Sequence, residues 1–182
     1  NDEDIKINSV KFAWDETGIY IAYDVFDDHL SWVPNSYWNG DGVEIFMTQN
    51  TDSSKNLSGL KVEDPTCMQL FMGDDSCGGQ VVAARTSVEI LDKKEEILMS
   101  FWVKEDNKGY CGEVFIPFTV VPDILAKIEN GEAISLAIRF ADSDADGASL
   151  IQISNVDAPV ELNKYIPKRM PKIKFIAGGE QS

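Results

Sequence analysis

The stretch Val10-Lys11-Phe12-Ala13-Trp14-Asp15-Glu16-Thr17-Gly18-Ile19-Tyr20-Ile21-Ala22-Tyr23-Asp24-Val25-Phe26 decides the reading of the fold. Val10, Phe12 and Trp14 alternate with Lys11 and Ala13, the period-two pattern of a strand with one buried face. Asp15-Glu16-Thr17-Gly18 breaks that pattern, and Gly18 is expected to supply the positive φ that such a turn uses. Alternation resumes from Ile19 to Phe26, so residues 9–26 read as a β-hairpin.

Working outward, the same pattern dominates and helical periodicity is scarce. Residues 27–39 form a long loop carrying His29, Trp32, Pro34, Tyr37 and Trp38, and a strand over 43–48 opens directly after Asp41-Gly42. Residues 49–66 are polar, punctuated by Gly59 and Pro65, and read as a loop. Further strands are expected over 68–72, 80–90, 97–103 and 110–116, with Asn107-Lys108-Gly109 turning the last pair. One short helix is expected over 120–128, ended by Asn130-Gly131. Strands over 133–141 and 150–153 flank an acidic turn, and 172–176 closes the chain. Many short strands with turn signals between them predict an all-β fold, an antiparallel, jelly-roll-like β-sandwich. No repeat or linker divides residues 1–182, which read as a single domain.

Bulk properties limit the function. The chain has 182 residues, 43% hydrophobic and 26% charged, enough for a real core. A formal net charge of −15 argues against nucleic acid, because phosphate-backbone affinity needs basic clusters, and it favours cations, calcium above all. No run of about eighteen apolar residues exists, so no membrane insertion is expected. The opening Asn1-Asp2-Glu3-Asp4 reads as a processed form or a piece of something longer. Cys67, Cys77 and Cys111 make an odd count: the spacing of the first two permits one disulfide, and three free thiols is the alternative.

Two constellations carry chemistry. Trp32, Tyr37 and Trp38 are large rings in a polar loop, close in sequence to Asp41 and Glu44. A ring lying flat on a pyranose buries the sugar's C–H face, while carboxylates accept from its hydroxyls. In the following strand Val43, Ile45 and Met47 share one face and Glu44 and Phe46 the other, so Glu44 is either exposed or a buried carboxylate that needs partners. The second constellation, Asp142-Ser143-Asp144-Ala145-Asp146-Gly147, matches the start of a D-x-D-x-D-G calcium loop, although Ile153 stands where the closing Glu of an EF-hand belongs. Asp24, Asp27, Asp28 and Asp41 form another acidic group around the Trp loop. Catalysis has little support: no G-x-S-x-G, H-E-x-x-H or P-loop occurs, and His29 is the only histidine.

The run Val10 to Glu16, then Ile19-Tyr20-Ile21-Ala22, Val25 to Asp28 and Trp38-Asn39-Gly40-Asp41-Gly42-Val43-Glu44-Ile45-Phe46, resembles family-nine carbohydrate-binding modules. The resemblance extends from about residue 9 through the Gly109–Pro117 and Asp142–Gly147 stretches, and leaves only Asp4–Ile7 of the family's first strand. It implies a non-catalytic β-sandwich in an extracellular or cell-surface protein, with structural calcium and a polysaccharide or oligosaccharide as partner. A catalytic domain linked in the same polypeptide is a further implied partner. By position Trp38 matches the first ring of a sugar clamp, Glu44 a carboxylate that bonds the sugar, and Gln69 an amide on the neighbouring strand. The second clamp ring falls near Asn155, and the family's sugar-binding Arg and Asn fall on Phe71 and Gly73, so Trp32 or Phe71 would have to rebuild a platform. The metal ligands expected are Asp142, Asp144 and Asp146, with Asp28 and Asp41. The alternatives are a structural or sensory protein-interaction domain without a sugar ligand, and a haem-binding relative using His29 with Met68 or Met72.

Overall fold

Alternating apolar residues build two antiparallel sheets. A computed structural model describes residues 5–36, 39–57, 64–143, 150–154 and 165–176. In chain order the strands are β1 (Ile5–Trp14), β2 (Gly18–Asp27), β3 (Gly42–Thr48), β4 (Met68–Met72), β5 (Gln80–Val82), β6 (Leu98–Val103), β7 (Tyr110–Pro117), β8 (Ala133–Ser143), β9 (Leu150–Ser154) and β10 (Lys172–Lys174). A one-turn helix α1 (Val88–Leu91) and an eight-residue helix α2 (Pro122–Glu129) interrupt them. The first sheet runs β1-β2-β7-β6, and the second runs β10-β8-β3-β4-β5. The long strand β8 gives one edge to two partners, β10 at its start and β9 at its end, while β3 occupies the other edge.

The sandwich closes on facing apolar residues. Ile19, Ile21, Tyr23 and Val25 of β2 meet Val43, Ile45 and Met47 of β3, with Leu70 of β4 and Ile138 and Phe140 of β8 completing the layer. Each such side chain contributes about 1.5–3 kcal/mol by leaving water, so this layer dominates stability. Helix α2 starts on Pro122, whose missing N–H costs nothing at a helix start, and buries Ile124 and Ile128 one turn apart. Among the described residues no helix is long and apolar enough to cross a membrane.

The all-β sandwich and the expected helix are both present. Some local expectations need correction. The hairpin's first strand starts earlier than residue 9: β1 pairs with β2 from Ile5 onward and absorbs one irregularity between Ile7 and Ser9. Gly18 is absent from the positive-φ glycines, and it is required for a different reason. A Cβ there would lie 2.4 Å from the Ile116 carbonyl oxygen of β7. Asp15 makes the turn instead, its Oδ1 accepting from the Thr17 and Gly18 amides at 2.7 and 3.2 Å. The strand expected over 80–90 ends at Val82, because Ser87 caps α1 by accepting from the Ile90 amide at 3.4 Å. The closing strand is likewise shorter, Lys172–Lys174. All three cysteines are free: the Cys67 and Cys77 thiols donate to the Arg85 and Asp74 carbonyls instead.

Ile45 is fully buried at the centre of β3. Ile45→Ala is expected to lower the unfolding free energy by about 2–5 kcal/mol, read as a fall in the urea midpoint at unchanged slope.

Candidate functional site

Strand β3 is buried along its whole length. Its core face carries Val43, Ile45 and Met47 as the alternation predicts, and its other face carries Glu44 and Phe46 beneath a cover of their own. Leu57, Cys67, Tyr165 and Met170 pack there around Phe46, with the Tyr165 ring edge-on to it at 5.4 Å. Glu44 is only 2% exposed, which removes the exposed alternative and demands partners.

Three neighbours supply them. Gln69 Nε2 donates to Glu44 Oε1 at 2.6 Å, and the Tyr165 hydroxyl reaches the same oxygen at 3.4 Å. Arg139 Nε lies 2.9 Å from Glu44 Oε2. Register explains the meeting: Glu44 sits directly opposite Arg139 on β8 and Phe71 on β4, and Gln69, two pairs further along opposite Phe46, shares its face. The Arg85 guanidinium caps the cluster, 5.0 Å from the centre of the Tyr165 ring. Phe71 is buried beside Glu44 and so offers no open ring. Arg139, Arg85 and Tyr165 were not anticipated. Arg139 carried one readable signal, the lone charge in the apolar run Ala133–Ala141, on the face opposite Leu136, Ile138 and Phe140.

The loop between β2 and β3 carries the aromatic residues. Trp32 is half-buried, bridged through its backbone to Gly40, and its indole N–H is buried without an acceptor among the described residues. Gly40 must be glycine: its φ is +122°, and a Cβ would come 2.9 Å from the Ser31 carbonyl oxygen. Tyr37 and Trp38 lie outside the described residues, as do Asn155, Asp144 and Asp146. Met68 and Met72 face the core, where Met72 sulfur accepts from the Tyr23 hydroxyl at 3.5 Å, while His29 is exposed on the loop. Both methionines are therefore engaged in packing.

At the base of this loop Asp27, Asp41 and Asp142 bring one carboxylate oxygen each to within 4.8 Å of the others, all three buried. Asp27 ends β2 in the first sheet, Asp41 immediately precedes β3, and Asp142 is near the end of β8 in the second. Asp41 accepts from the Ser31 amide through one oxygen and from the Ser143 amide at 2.7 Å through the other. Asp27 Oδ1 accepts from the His29 amide at 2.9 Å, while its buried Oδ2 has no donor among the described residues. Burial pushes the Asp41 carboxyl up to about 8, with repulsion from Asp27 and Asp142 adding and its two amide donors opposing. Burial also raises Asp27, to about 6, with the charges of Asp142 and Asp28 adding and the His29 amide opposing. Of the expected metal ligands, Asp41 and Asp142 meet here. Asp28 is exposed, its place in the cluster taken by Asp27, and Asp24 bonds Lys104 Nζ at 2.6 Å. Oxygen-only donors around an orphaned buried oxygen fit a hard cation such as calcium.

A family model described as carbohydrate family 9 binding domain-like matches residues 2–165. The chain belongs to this family. Its fold is similar to that of a family 9 carbohydrate-binding module from Caldicellulosiruptor kristjanssonii solved with cellotriose, at 16% identity and a TM-score of 0.68, over 99% of this chain and 83% of that one. The same source's module solved with glucose gives a TM-score of 0.70 at 16% identity, over 98% of this chain and 84% of that one. No curated protein matches the sequence. Within this family 9 chain, Glu44 and Gln69 are two expected sugar-site residues that the structure joins by a hydrogen bond.

Both raised carboxyls release protons more readily in the unfolded chain, so without a cation this cluster's contribution to stability is greatest below about pH 4 and is lost as pH rises towards about 8. Thermal unfolding in chelator across that range is expected to show this fall for this cluster. Asp27→Asn, which keeps the His29 contact, is expected to flatten it and raise the Tm at pH 8.

Proposed function

We propose that this chain is a non-catalytic carbohydrate-binding module of an extracellular or cell-surface protein that acts on or attaches to polysaccharide. The observation that carries the reading is the Glu44, Gln69 and Arg139 cluster in a family 9 sandwich. A carboxylate, an amide and a guanidinium that hold one another rigid offer fixed acceptors and donors, which is what discrimination among sugar hydroxyls requires. Glu44 lies near the β3 end that follows the loop bearing Trp38, so one ring and one carboxylate come from adjacent chain. Relatives solved with cellotriose and glucose point to a glucan as the first ligand to try.

Removing one partner of such a site costs on the order of 1–3 kcal/mol. Titration with cellotriose is therefore expected to weaken roughly tenfold or more in Glu44→Gln and in Trp38→Ala. Wild-type affinity in both variants, with their folds intact by circular dichroism, would remove the reading. The deep burial of Glu44 and Gln69 favours a second reading, a sandwich domain whose polar cluster only braces the cover over β3. That reading expects no response to any glycan on an array and a loss of stability in Glu44→Gln.

Asp27, Asp41 and Asp142 would hold a structural calcium ion, which supplies positive charge to three crowded carboxylates and ties the two sheets together. Calcium in excess over chelator is expected to raise the Tm by several degrees, and Asp142→Asn to abolish the rise. A Tm indifferent to calcium would refute the assignment.

A further inference from the structure

The outer face of the first sheet is built unlike an ordinary solvent face. Of the five large hydrophobic side chains exposed among the described residues, Tyr20, Leu98 and Trp102 stand on it. Pairing across the strands sets them in rows. Tyr20, Phe115 and Leu98 share one row across β2, β7 and β6. The next row presents Lys11, Glu113 and Ser100, all exposed. Trp102 belongs to the row beyond, level with Asp24 and its Lys104 partner.

The first row is held ready. The Tyr20 and Phe115 rings lie 4.8 Å apart at 34°, and the Tyr20 hydroxyl is fixed by Asp15 Oδ2 at 3.0 Å and Thr17 Oγ1 at 3.1 Å. A groove of about 390 Å³ lies against this row and the polar row beside it, within the size range of small-ligand sites. The polar row argues for the occupant. A protein partner or second copy would bury Lys11 and Glu113 at the middle of its contact, where interfaces are depleted of charge. A saccharide offers what the rows alternate: C–H faces for rings and hydroxyls for Lys, Ser and Glu. Leu98 and Trp102 are four residues apart on one strand, about 13 Å at strand rise, so the ligand must be an oligosaccharide rather than one sugar.

We propose that this face is a second carbohydrate site, taking a short oligosaccharide whose sugar faces lie on Tyr20–Phe115 and on Trp102 while Lys11, Ser100 and Glu113 bond the hydroxyls between. It lies on the opposite sheet from Glu44 and does not depend on that site. Two sites on opposite faces would let one module bridge two chains of a polysaccharide.

The test is an amide-resolved NMR titration of Glu44→Gln with cellohexaose and with xylohexaose, read against the wild-type titration, which maps both faces if the variant fails to fold. Shifts along Leu98–Val103 and Tyr110–Pro117 are expected with at least one of the sugars, and Trp102→Ala is expected to weaken that binding about fivefold or more, one stacked ring being of order 1 kcal/mol. Shifts confined to the surroundings of Glu44 would overturn the second site and leave the first reading standing. Shifts on the Tyr20–Trp102 face support the second site, and their being alone in the wild type as well would sink the first. No shift with either sugar would overturn the proposal. So would a dimer in sedimentation velocity that Leu98→Asp abolishes, because it would make the face a contact between copies.

Discussion

Strand β3 is buried on both of its faces, and a carboxylate at its third residue cannot stay there alone. Moving an ionised carboxylate out of water costs several kcal/mol unless charge and hydrogen bonds replace the solvent. Arg139, Gln69 and Tyr165 surround Glu44 for that reason, and each must hold its strand or segment in one register to do so. A slip of one residue on β8 would turn Arg139 into the core and leave Glu44 facing Ile138 or Phe140. The pairing that fills the core and the pairing that neutralises Glu44 are therefore the same pairing.

The three aspartates impose a second constraint at the end of the sandwich. One comes from each sheet's own strand and one from the residue that enters β3, so the cluster joins the sheets where the aromatic loop departs and returns. Asp41 anchors both the loop, through the Ser31 amide, and the end of β8, through the Ser143 amide. Tyr110 adds a tie from the first sheet, donating its buried hydroxyl to the Gly42 carbonyl at 3.3 Å. Crowded acidic groups here oppose folding, and amide donors offset that only in part, which is why burial dominates the shifts of Asp27 and Asp41.

Periodicity made most of the sandwich legible. The hairpin of β1 and β2, the central β3 and the turn at Asn107-Lys108-Gly109 follow from alternation and turn chemistry, and Asn107 does take a positive φ of 56°. Where reading failed, a local preference was decided by a distant contact. Gly18 looked like a turn glycine, yet the approach of β7 is what excludes a side chain there. Residues 80–90 alternate well enough for a strand, but a serine cap diverts the chain into a helical turn. Asp28 and Asp27 are equivalent in composition, and only the strand's end decides which one points inward.

Sequence by itself determined that the chain alternates into strands and that Glu44 opposes the core face of β3. These are properties of neighbouring residues and of strand period, which a linear chain carries. Tertiary structure alone decided that Glu44 is buried and paired with Arg139, far along the chain on β8, and that Asp27 joins Asp41 and Asp142. It also decided that Tyr20, Phe115 and Trp102 share one open face. Each of these depends on which strands become neighbours, and burial and charge pairing act across that distance, not along the chain.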